Sequence, residues 1–378
     1  MNYLGNLIYR ERMRRNWSQD GLCKGICGVS YLSKIENGRA EPSDEILRLL
    51  LQRLELESTP EADRRASQLA EDAYEALFTD RIDELQMLMA DRPWDNYRAT
   101  PAGLDLLLLR AWVNGETWAP LDAQLETCMD TRQLALQRIL QKRCNEAIAL
   151  LPNAFCHFNA GMAAYGSGDI SNALHLLQRA YDLAAQDGAP HLMLQCKTFI
   201  GNCYSARRDV QPMLAHYAVA RRLAKALRHD EILASIDYNV AATQLDTGNT
   251  EAAYAYFSRL SSPKPLALHK LAICCEKLGK RAEALAALDL ADAMPAQDIA
   301  PDTMRMMCGV ARFRLEHEDY LSDDAYGELL LNLFAACRRD LPIGFATFHL
   351  PWVIEYYTAT RQYKRAFELL NDFPAASL

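Results

Sequence analysis

Apolar residues recur every three to four positions along almost the whole chain, the spacing of helices that bury one face. Leu4, Leu7, Ile8 and Met13 give a first helix its stripe, and Leu22 and Ile26 mark a second. Leu32 and Ile35 anchor a third, with Ser30 placed to cap its start and Asn37-Gly38 to end it. A fourth follows Pro42, capped by Ser43, with Asp44 and Glu45 in the first turn, where the helix dipole favours acids. Its Leu47, Leu50, Leu51 and Leu54 close a small core. The second and third helices are short and joined by a tight turn, a form that presents one helix to the major groove of DNA. Ser30, Tyr31, Ser33, Lys34 and Asn37 remain on the outer side of that third helix.

After Leu56 the run Glu57-Ser58-Thr59-Pro60-Glu61 breaks the fourth helix and caps a new one, with Pro60 at the first helical position. The domain boundary falls there, giving residues 1–56 and 57–378. Beyond it Gly161, Tyr165, Gly168-Asp169, Ala173 and Ala180 fall at the offsets of the tetratricopeptide repeat, in which small residues let two helices of a hairpin approach closely. Gly201, Tyr204, Asp209, Tyr217 and Ala220 repeat the pattern. Ala241, Gly248-Asn249, Ala253 and Phe257 do so again, followed by Ala272, Gly279-Lys280, Ala284, Leu288 and Ala291. The starts at 161, 201, 241 and 272 lie 40, 40 and 31 residues apart. Weaker copies occupy 66–88, 104–128, 134–151 and 352–373. The expectation is an all-α chain in which a small reader precedes an α-solenoid with a concave wall.

Charge sharpens the division. Residues 1–40 carry seven Lys or Arg against three acids, although the whole chain has a formal charge of −8. A basic reader suits the phosphate backbone, and an acidic remainder is repelled by it. The eleven cysteines have no regular Cys/His spacing, which predicts a reducing, cytoplasmic setting and no metal centre. No apolar run approaches the roughly 20 residues of a membrane span, and the N-terminus does not read as a signal peptide. There is no phosphate loop, nucleophile elbow or zinc-protease pattern, so neither a catalytic residue nor a cofactor is expected.

Leu4-Gly5, Ile8, Arg12, Ser18-Gln19, Leu22, the run Ser33-Lys34-Ile35-Glu36-Asn37-Gly38 and Pro42-Ser43 resemble the phage-repressor-type helix-turn-helix of the XRE family, over about the first 56 residues. The interval from Gln19 to Glu36 is one residue shorter than the commonest spacing and places Ile26-Cys27 in the turn. With the repeats, this resembles the PlcR/Rgg-type regulators that sense peptide pheromones. The resemblance implies that Gln19 meets a phosphate, that Val29, Ser30, Ser33 and Lys34 lie near base edges, and that Asn37 and Arg39 hold the DNA backbone. It also implies a structural ion pair between Arg12 and Glu36. Tyr31 stands between core edge and DNA contact.

The inward wall of the repeats selects Phe158, Met162, Gln195, Asn202, Tyr238, Asn239, His269 and Lys270. Asn amides match the donors and acceptors of an extended peptide, and Phe, Met and Tyr supply side-chain pockets. The plainer alternative is that these Asn residues satisfy neighbouring helix ends or solvent. The sequence therefore predicts a cytoplasmic transcription regulator, homodimeric on an inverted-repeat operator in double-stranded DNA and controlled by a short signalling peptide. Two other readings stay open: a DNA-tethered scaffold for a partner protein, and a mobile-element-type repressor whose solenoid only dimerises.

Overall fold

Four helices form the reader: α1 (Tyr3–Arg14), α2 (Gln19–Cys23), α3 (Val29–Glu36) and α4 (Asp44–Arg53). The computed structural model describes residues 3–56, 59–90, 94–116, 123–295 and 299–372; Glu57, Ser58 and Phe373, used above to place a boundary and a repeat end, lie outside them. Leu4, Leu7, Ile8, Leu22, Leu32, Ile35, Leu50, Leu51 and Leu54 make the reader core, joined by Cys23 and, from beyond the reader, Ala99. Met13 departs from its expected place and is 49% exposed. Five residues past Ile8 it has rotated off the stripe, which continues instead through the buried Glu11 and Arg12. α1 and α3 cross in backbone contact, since a Cβ on Gly5 would stand 2.2 Å from the Ile35 carbonyl oxygen.

The rest of the chain is a succession of helical hairpins, and no strand occurs among the described residues. In order they are α5 (Pro60–Phe78), α6 (Ile82–Met89), α7 (Trp94–Tyr97), α8 (Gly103–Val113), α9 (Ala123–Glu126), α10 (Thr131–Leu140), α11 (Cys144–Leu150), α12 (Ala154–Gly166) and α13 (Ile170–Gln186). Then come α14 (Pro190–Ala206), α15 (Val210–Leu227), α16 (Asp230–Asp246), α17 (Thr250–Phe257), α18 (Pro265–Lys277) and α19 (Arg281–Asp292). The series ends with α20 (Pro301–Glu316), α21 (Asp324–Asp340), α22 (Ile343–Ala359) and α23 (Tyr363–Asp372). The α20–α21 hairpin has no counterpart in the expected repeats. Its connection is long, with a 3-10 turn at Tyr320–Ser322, and Asp323 caps α21 by accepting from the Ala325 amide at 2.8 Å.

Contacts divide the chain into two units, one of Met1–Ala163 with Arg179–Met193, the other of Ala164–Gln178 with Leu194–Leu378. In the first, the reader is tied to the segment before α8: Arg98 pairs with Glu11, and the Tyr3 hydroxyl donates to the Arg98 carbonyl at 2.9 Å. Arg132 grips both oxygens of Glu71 at 2.9 Å while lying over the Tyr74 ring. In the second, a core running from Ala241 to Tyr356 is continuous through α16–α22. A Cβ on Gly201 would stand 2.3 Å from the Tyr217 ring, so α14 and α15 close on each other only because that position has no side chain.

One backbone rule recurs in both units. Asp80, Lys142, Gly168, Arg208, Gly248, Gly279 and Arg361 all carry positive φ, each at the turn of a hairpin and each seven positions after residues 73, 135, 161, 201, 241, 272 and 354. The chain must turn through the left-handed region to send the second helix back along the first, and glycine does so without steric cost. Lys142 is exposed with φ of 63°, so Lys142→Gly is expected to stabilise the protein by about 0.5–1 kcal/mol. Gly248 has φ of 89° and open space around its missing Cβ, so Gly248→Ala should destabilise by about 1 kcal/mol through the backbone alone. Urea melts of both variants check the two signs.

Candidate functional site

In the reader, Ser18 begins α2 by accepting from the Gly21 amide at 3.0 Å. The turn runs through Gly25, at φ of 75°, and Ile26-Cys27, which pack at the edge of the core. α3 is capped by Gly28 in extended conformation, not by Ser30, which lies inside the first turn and is exposed. Val29 and Ser30 in the first turn and Lys34 in the last are exposed along the open side of α3, with half-buried Ser33 beside them. Arg39 is exposed beyond the end of the helix. The Asn37 amide donates to the Ser33 carbonyl at 2.7 Å, closing that end. Tyr31 belongs to the core edge, its hydroxyl donating to the Glu41 carbonyl at 3.0 Å.

Behind this face Glu36, 5% exposed, accepts a fork from Arg12: Nε to Oε1 at 2.6 Å and Nη2 to Oε2 at 2.9 Å. The expected ion pair is therefore present. Gln19 Nε2 joins at 2.8 Å, and Arg12 Nη1 also donates to the Trp17 carbonyl at 2.8 Å. One carboxylate thus fixes α1, the start of α2 and α3 together. Arg53 adds a second clasp by donating to the carbonyls of Leu22 and Lys24 at 2.9 and 2.6 Å.

The second unit holds a cavity of about 240 Å³ between the first helices of its hairpins and the start of α22. Asn202, Tyr238, Asn239 and Lys270 all line it. Asn202 Oδ1 accepts from the Tyr217 hydroxyl at 2.7 Å and from Asn239 Nδ2 at 3.1 Å. That leaves Asn202 Nδ2 as donor and Asn239 Oδ1 as acceptor without a partner among the described residues, side by side on the cavity wall. Gln195 is half-buried on α14 outside the lining, and Phe158 and Met162 are half-buried in the first unit. His269 is a correction: it does not line the cavity but is fully buried, on the side of α18 that packs into the core.

The remaining wall was missed in the sequence. Phe199 and Ser205 flank Asn202 at helical spacing, and Thr243 and Asp246 follow Asn239 in the same way, so that part was available from periodicity. Phe345, Thr347 and Phe348 were not, since α22 arrives from a distant part of the chain. Arg208, at a left-handed turn, holds Asp246 with Nε to Oδ2 at 2.6 Å and Nη2 to Oδ1 at 3.0 Å. Its Nη2 also reaches the Thr347 carbonyl at 3.4 Å. That carbonyl is open because its helical donor would be residue 351, which is proline.

Residues 8–59 match the helix-turn-helix family, so the reader is a helix-turn-helix domain. In sequence the chain is similar to the transcriptional activator NprA of Geobacillus stearothermophilus, 23% identical over 261 residues. That alignment covers 58% of this chain and spans 62% of the relative's length. Among solved structures it is similar to Bacillus thuringiensis PlcR in complex with the peptide PapR7 and DNA, at 15% identity. The superposition covers 76% of this chain and 99% of that one, with a TM-score of 0.29. Among the described residues no helix is long and apolar enough to cross a membrane, and no group of His, Cys, Asp and Glu is placed to hold a metal.

His269 and His349 lie under the cavity with ring centroids 6.1 Å apart. Burial, then the nearby Lys270, pushes His349 down to about 3, and burial first of all holds His269 well below the usual imidazole range. Both folded values lie below the unfolded one, near 6.5, so stability is fully present above that pH and falls as the pH drops towards about 3. From pH 6 to 5 the folding free energy should fall by up to about 1.4 kcal/mol per histidine per pH unit. Urea midpoints across that range check it, and His349→Leu should reduce the slope.

Proposed function

We propose that this chain is a transcription regulator whose helix-turn-helix reader binds duplex DNA and whose repeat cavity binds a short peptide that controls the reader. The observation that carries the reading is the open face of α3, where Val29, Ser30 and Lys34 project from a helix locked from behind by the Arg12–Glu36–Gln19 cluster. A rigid helix with a free lysine and hydroxyls is suited to guanine acceptors and base edges. The basic balance of the first 40 residues supplies phosphate attraction. The name of the sequence relative, a transcriptional activator, supports the same reading.

A peptide ligand is supported by the cavity. The open Asn202 donor and Asn239 acceptor complement the C=O and N–H of a peptide unit, and Tyr165, Phe199 and Phe345 offer apolar walls. Because a lone reader spans about half of a two-fold site, the regulator acts as a homodimer on an inverted repeat.

The test is selection of duplex fragments from the source genome on the full-length protein, followed by gel shifts on the enriched site. Lys34→Ala should lose about 1–3 kcal/mol on that site and much less on random duplex. Equal losses on both would reduce Lys34 to a phosphate contact, and failure to enrich any fragment would overturn the regulator reading. Light scattering that finds a monomer both free and on the enriched site would remove the dimer.

A further inference from the structure

Lys270 is 5% exposed, lines the cavity, and places Nζ 2.8 Å from the centroid of the Phe348 ring. It makes no hydrogen bond or ion pair among the described residues. Asp246 is the carboxylate on the same wall, but Arg208 occupies both of its oxygens in a forked pair at 2.6 and 3.0 Å. The other titratable neighbours supply no anion. His269 on α18 and His349 on α22 are neutral imidazoles, and burial pushes the thiols of Cys274 on α18 and Cys337 on α21 up to about 12. Lys270 is thus the cavity's uncompensated cation, desolvated and faced by one aromatic ring.

A buried ammonium without a counterion favours any monoanion that can reach it. A phosphate dianion would need further cations or a fork of donors, and Arg208 is already spent on Asp246. One carboxylate matches one ammonium, and the Asn202 and Asn239 amides stand on the same wall to take the adjoining peptide unit. We propose that Lys270 anchors a carboxylate of the ligand, either its C-terminal group or an Asp or Glu side chain. This rests on the reading of the cavity as a peptide site.

The experiment uses the full-length protein and three pools of random, N-acetylated heptapeptides, read by affinity selection and mass spectrometry. One pool lacks Asp and Glu and ends in a free carboxylate. The second has the same sequences with a C-terminal amide, and the third is amidated with one Glu per peptide. The wild type should retain at least one carboxylate-bearing pool about tenfold above the carboxylate-free pool, and the pool enriched identifies the source of the carboxylate. Lys270→Met should abolish that preference and Lys270→Arg should keep it. Burial holds the Lys270 ammonium down to about 7, so on wild type the preference should also weaken from pH 7 to 9, a readout that needs no variant. Retention of all three pools alike, or a preference that survives in folded Lys270→Met, would overturn the carboxylate anchor and leave the peptide site standing. Retention of none overturns both.

Discussion

The reversal of the chain through the left-handed region at the turn of each of seven hairpins is the constraint on which the architecture depends. A hairpin whose second helix must lie against its first has to leave the α region at one position, and positive φ at residues 80, 142, 168, 208, 248, 279 and 361 shows where. With that turn fixed, the first helices of successive hairpins lie side by side. Asn202 and Asn239, 37 positions apart in sequence, thereby come within 3.1 Å. The cavity is a product of the repeat geometry before it is a product of particular side chains.

The reader solves a different problem with a buried charge. An Arg–Glu pair so enclosed is weak evidence of net stability, because desolvating both ions offsets much of their attraction. Its value lies in direction: a planar fork allows few relative placements of α1 and α3, and the Gln19 amide brings α2 into the same arrangement. The backbone contact at Gly5 removes the remaining freedom between the first and third helices. The exposed residues of α3 are then presented by a support that has little room to adjust.

How much of this was legible in the sequence depended on how local the cause was. Helix stripes, the Ser43 cap and the hairpins turning at Gly168, Gly248 and Gly279 were readable, because glycine announces a left-handed turn. Where Asp80, Lys142 or Arg361 takes the same conformation the turn is silent, and those hairpins read as weak copies. The cap of α3 was misplaced by two residues because Ser30 has the chemistry of a cap while Gly28 has the position. In the cavity, Asn202, Tyr238, Asn239 and Lys270 followed from repeat offsets, whereas nothing in those offsets separated Lys270, on the wall, from His269, in the core. Nothing local could reveal α22, whose approach is fixed by contacts formed late in the chain.

Pro351 has a reach beyond its own helix. By withholding one amide it leaves the Thr347 carbonyl for Arg208, the same side chain that holds Asp246, and so it ties α22 to the pair on which the cavity's carboxylate rests. An ordinary residue at 351 would let the helix reclaim that carbonyl and leave Arg208 held by Asp246 alone. Position 351 is therefore a point outside the cavity wall at which drift in sequence would loosen the hold of Arg208 on α22 while every wall residue stays unchanged.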